Sequence, residues 1–89
     1  MQTGIGLKIK ELRLEKGLSL DVFVADMNRR FSLDKPLNKS MVSRWENGKN
    51  EPSLENAKYL SIYFDVSLDY LIGLTNVRTP SRLFEMMKK

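Results

Sequence analysis

Neither cysteine nor histidine occurs in this sequence. The first absence removes disulfide staples and thiol nucleophiles, the second removes imidazole bases, and together they remove zinc-finger ligand sets. Only carboxylates remain for acid–base chemistry. Asp65 and Asp69, four residues apart, have the spacing of a paired acid, but helix capping and solvation account for them better. Nowhere do the roughly 18 successive apolar residues of a membrane span appear, and MQTGIGLKIK lacks the apolar run of a secretory leader. A reduced cytoplasmic setting without a membrane partner is expected. Length excludes more. Eighty-nine residues suit one small domain, which buries only about 60 to 65% of its unfolded surface, so a deep catalytic cleft would cost stability it lacks. No enzyme, cofactor, metal or small-molecule ligand is expected. With 42% apolar and 29% charged residues the chain is nevertheless ordinary globular material and should fold unaided.

Charge of one sign is scarce in places. Between Arg29 and Lys49 six basic side chains face only Asp34 and Glu46, whereas from Glu51 to Val77 Lys58 alone opposes four acids, and the tail from Arg78 is basic again. One basic side is therefore expected, suited to an anionic partner or simply solvated.

Helical periodicity runs throughout. Ile5, Ile9 and Leu12 form one stripe, closed by Gly17. Ser19, followed by Asp21, starts a second helix in which Phe23, Met27 and Phe31 recur at four-residue intervals; Ser32, Asp34 and Pro36 end it in a polar loop of five or six residues. Asn38 caps a third helix that stops at Asn47–Gly48. At 100° per residue, Lys39, Ser40, Ser43, Arg44 and Asn47 share an arc of about 140°, and Met41, Val42 and Trp45 an opposing arc of about 100°. Trp45 therefore reads as core, not as a base-stacking ring. Glu46 sits at the border of the buried arc, where an acid needs a partner. Pro52–Ser53 opens a fourth helix with Leu54, Ala57, Leu60, Ser61 and Phe64 inward. Asp65 stands where glycine is common. Ser67 caps a short fifth helix stopped by Gly73, and Thr79–Pro80 opens a sixth segment, Ser81 to Lys89. No strand pattern competes. The expected fold is all-α.

The third helix is polar on one face, apolar on the other, and lies in the basic segment, as a helix entering the DNA major groove must. Lys39 and Arg44 can donate to guanine O6 and N7, and Ser40 and Ser43 can donate or accept. A surface helix of a small bundle would show the same two faces.

The strings IGLKIKELRLEKGLS and SRWENGKNEPSLENAKYLSIYFDVSLDYL resemble the helix-turn-helix domain of the Cro and lambda-repressor family of transcriptional regulators. The likeness covers Ile5 to Gly73 apart from the loop, and rests on the WENG turn, the proline–serine opening of helix four and the VSLDYL ending. It implies a five-helix lambda-repressor-like bundle over residues 1–75, to which residues 76–89 add a linker and a C-terminal helix. It also implies base-facing positions for Asn38, Lys39, Ser40, Ser43 and Arg44, phosphate contacts from Asn47 and Lys49, and an ion pair between Arg13 and Glu46. Two departures stand out. Between helices two and three lie about eight additional residues, Arg29 to Pro36, which either lay Arg29, Arg30 and Lys35 along the phosphate backbone or lengthen helix two. Leu20 replaces the family's phosphate-anchoring glutamine, leaving Ser19 and the helix-two amides for that contact.

A single domain of this kind covers too few base pairs to find one operator, so a homodimer on a palindromic site of double-stranded DNA is expected. Tyr70, Ile72, Leu74, Leu83, Phe84, Met86 and Met87 are the candidate dimer surface. The expected function is sequence-specific transcriptional repression. The alternatives are a restriction-modification controller, an antitoxin, or an adaptor that retains the bundle without binding DNA.

Overall fold

The computed structural model describes residues 4–78. Five helices follow one another: α1 Gly4–Glu15, α2 Leu20–Arg30, α3 Lys39–Glu46, α4 Leu54–Phe64 and α5 Leu68–Leu71. No strand occurs among the described residues. Four helices begin on the hydroxyl or amide that the sequence offers. Ser19, Asn38, Ser53 and Ser67 each accept from the backbone N–H three residues on, at 3.2, 2.9, 3.1 and 2.9 Å respectively, satisfying donors that the first turn leaves open. Asp65 closes α4 with φ 58° and ψ 46°, a left-handed conformation that non-glycine residues adopt at a cost.

α1 packs against α3 and α5, α2 against α3, and α4 against α5. Their common core contains Ile9, Phe23, Met27, Val42, Leu60 and Leu71, all fully buried. Phe23 is its centre. Its ring stacks on Phe64 at 5.4 Å and meets Tyr63 edge-on at 5.4 Å. The inward face of α4 therefore includes Tyr63 and excludes Leu54, which is 70% exposed. Leu54 occupies the first turn and borders an open depression with Gly4, Ile5, Pro52 and Ile72.

Gly6 permits the α1–α3 contact. A Cβ at this position would lie 1.9 Å from the Trp45 carbonyl oxygen, so the two backbones touch where any side chain would intrude. On the same pair of helices, Arg13 meets Glu46 in a two-pronged, buried ion pair, Nε to Oε2 at 2.7 Å and Nη2 to Oε1 at 3.0 Å. The remaining guanidinium nitrogen donates to the Leu18 carbonyl at 2.7 Å. This geometry supplies the partner that Glu46 requires, and hydrogen bonding to Glu46 raises the Arg13 pKa more than burial lowers it.

The segment between α2 and α3 differs from the polar loop expected. Helix α2 ends at Arg30, and eight residues intervene before Lys39. Leu37 is buried, and Phe31 and Leu33 pack against the core. Asn28 grips Leu37 through both backbone groups, donating to its carbonyl at 2.9 Å and accepting from its N–H at 2.8 Å. Beyond Arg30 the insertion is therefore neither helical nor loose. An apolar anchor and an amide clamp hold it.

At the other end of the described chain, Arg78 donates twice to Glu15, at 2.8 and 2.6 Å, and once to the Tyr70 hydroxyl at 3.1 Å. Its carbonyl accepts from Ser67 N–H. Bundle hydrogen bonding thus extends past residue 75. Tyr70 is 6% exposed, so it is a core residue and drops out of the candidate dimer surface; Ile72 and Leu74 remain exposed. The sixth helix expected at 81–89, its Thr79–Pro80 start and the apolar Leu83, Phe84, Met86 and Met87 lie outside the described residues.

Candidate nucleic-acid interface

Helix α3 separates its two faces cleanly. Val42, Trp45 and Glu46 are buried, Met41 is half-buried, and Lys39, Ser40 and Arg44 are exposed with Ser43 at their margin. Lys39, Ser40, Ser43 and Arg44 line one shallow depression, with Leu20 of α2 as its apolar wall. Four polar side chains expected to act together are thus on one surface. Leu20, where a polar anchor was missing, borders the same surface.

Neighbouring residues are partly committed to the helix itself. Asn38 Oδ1 caps α3 through Met41 N–H, so its amide N–H groups are what it can offer outward. Asn47 turns its amide back on Ser43, to the carbonyl at 2.8 Å and the hydroxyl at 3.3 Å. Ser19 Oγ accepts from Val22 N–H, leaving its hydroxyl proton to donate. Lys49 is exposed just beyond the helix, its N–H bonded to the Arg44 carbonyl at 2.9 Å. Lys35 stands elsewhere, in a second depression with Met41 and the first turn of α4.

Arg29 and Arg30 are not gathered with this group. Asp21 and Asn28, on the side of α2 turned towards α3, contact Lys39 and Leu37. Arg30 is about 160 to 180° around the helix from them, and Arg29 about 80 to 100°. The Arg30 guanidinium lies over the Tyr63 and Phe31 rings at 5.0 and 5.4 Å, and Arg29 pairs with Asp26. The rotation of α2 that buries Phe23 and Met27 sends Arg30 towards α4. It leaves the surface on which Lys39 and Arg44 stand. Asp26 in turn accepts from the Tyr63 hydroxyl at 2.7 Å. That bond first, and Arg29 second, hold its carboxyl below the usual range.

Sequence reasoning missed one acid at this site. The outward face of α3 carries no carboxylate, but Asp21 in the first turn of α2 brings one beside it, Oδ2 lying 3.4 Å from Lys39 Nζ. The pair is well exposed, the two side chains at 60% and 74%. A contact across 18 residues leaves no periodic trace in the chain.

Among the described residues no group of acids could hold a metal ion, and no helix is long and apolar enough to cross a membrane. Residues 34–71, which run from the loop through α3 to the end of α5, match the family model described as helix-turn-helix. No curated protein and no solved structure matches the chain.

Proposed function

We propose that this chain, whose residues 34–71 match the helix-turn-helix family model, is of the Cro and lambda-repressor type of DNA-binding transcription regulators and acts as a sequence-specific repressor that inserts α3 into the major groove. Arg44 and Lys39 donate to guanine, while Ser40, Ser43 and the Asn38 amide complete the reading. Ser19 and Lys49 meet phosphates on either side; such contacts fix register without reading sequence. The carrying observation is the single polar surface of Lys39, Ser40, Ser43 and Arg44, backed by buried Val42 and Trp45. Two copies, joined through exposed surface that includes Ile72 and Leu74, would place their α3 helices about one DNA turn apart, about 34 Å, on a palindromic operator in the cytoplasm. Occupying that site would exclude the polymerase.

Selection of bound sites from a random duplex pool, repeated with two variants, tests this. Arg44→Ala should cost about 1 to 3 kcal/mol and relax preference at one base pair. Lys49→Ala should weaken every duplex alike and flatten the salt dependence by about one phosphate. Identical discrimination profiles in the two variants would refute the assignment. A chain that binds no duplex at any salt concentration would leave the adaptor reading.

A further inference from the structure

The Asp21–Lys39 pair sets an acceptor and a donor 3.4 Å apart at the rim of the polar surface. Both side chains are exposed, and Leu20, adjoining Asp21, lines the same depression as Lys39. An exposed pair of this kind adds little to stability. A carboxylate also repels phosphate, so at a site meant only for backbone contact it would weaken binding. Its use is better sought at the base edges. In the major groove a G·C pair presents two adjacent acceptors, guanine N7 and O6, followed by the cytosine N4 donor. An ammonium beside a carboxylate is the complement of that row. An A·T pair puts its donor between two acceptors, and the same side chains would leave one acceptor unmet.

We infer that Asp21 and Lys39 read one G·C base pair as a unit, Lys39 donating to guanine and Asp21 accepting from the cytosine amino group. This rests on α3 being the reading helix. Asp21 thereby becomes a specificity-determining residue contributed by α2, and it keeps the Lys39 charge from being spent on phosphate.

Site selection and salt-dependent binding on the full chain, wild type against Asp21→Asn, Lys39→Met and the double variant, test the assignment. Asp21→Asn should reduce preference for G·C at one position by about 5- to 100-fold. It should also tighten binding to a random duplex and steepen its salt dependence by about 0.9 in log–log slope, because Lys39 is released to neutralise a phosphate. Lys39→Met should lose preference at the same position, and the double variant should lose no more than either alone. A purely capping role for Asp21 would change thermal stability and leave base preference and salt slope where they were. Sequence preference that survives Asp21→Asn at every position overturns this inference and leaves the reading helix intact. Failure of the wild type to bind any duplex overturns both.

Discussion

Gly6→Ala sets two effects of opposite sign against each other, and the structure says which prevails. Within a helix, alanine is favoured over glycine by about 1 kcal/mol. Position 6 lies inside α1, so on local grounds the substitution should stabilise. Its Cβ, however, would stand 1.9 Å from the Trp45 carbonyl oxygen and 3.0 Å from the carbonyl carbon. An ordinary carbon–oxygen contact is about 3.3 Å, so the α1 and α3 backbones would have to part by about 1.4 Å. Neither atom can swing aside as a side-chain tip could. Overpacking of this kind costs about 1 to 3 kcal/mol or somewhat more, and separation also strains the Arg13–Glu46 pair. The expected net loss is about 2 kcal/mol, a sizeable part of the roughly 4 to 13 kcal/mol available to a domain of this size. Trp45 is the sole tryptophan and is buried beside the contact, so its fluorescence in a urea titration reports the unfolding midpoint directly. A Gly6→Ala protein as stable as wild type, or more so, would refute the close approach.

Glu46→Ala strands the Arg13 charge in a site where the two side chains are 10% and 6% exposed; urea unfolding should show a loss of about 3 to 5 kcal/mol, and a loss below about 1 would mean that the pair is solvated. Asp65→Gly should be about 1 kcal/mol more stable than Asp65→Ala, since both remove the side chain but only glycine suits φ 58°; equal midpoints would contradict the left-handed cap. Burial and the bond to Asp26 push the Tyr63 phenol up to about 12, against about 10 when unfolded. Its folded pKa is the higher, so its contribution is complete below about pH 10 and is lost as pH rises towards 12. Phenolate absorbance should show a late step that Tyr63→Phe abolishes; completion of the tyrosine titration near pH 10 would exclude it. Asp26 runs the other way: its folded pKa is depressed, so its contribution is present above about pH 4 and lost on acidification.

Elements whose cause is local were legible. Ser19, Asn38, Ser53 and Ser67 each cap a donor three residues on, and Ile9, Phe23 and Val42 turn inward as their periodicity requires, because both effects repeat within one helix. The polar face of α3 was legible for the same reason. The Arg13–Glu46 pair, 33 residues apart, came only with the family resemblance. What escaped depends on how helices are set against each other. Nothing in the spacing of Asn28 and Leu37 announces a two-way amide clamp, and nothing around Gly6 announces its contact with the distant Trp45 backbone. Arg30 sits in the basic segment by sequence but, through the rotation of α2, faces Tyr63 on the opposite side of that helix from Asp21. Leu54 has helical spacing yet lies a turn ahead of the core. In each case a long-range contact, not a period, decides the position.

Helix α3 is fastened from behind. Gly6, Arg13, Val42 and Trp45 hold it from the inner side, while the outward Lys39 adds no more than an exposed pair with Asp21 of α2. Exchanging exposed residues of this sort commonly changes stability by less than about 0.5 kcal/mol. On the proposed reading, target preference is therefore free to drift, or to be redesigned, by swapping a few surface groups while the framework beneath them stays untouched.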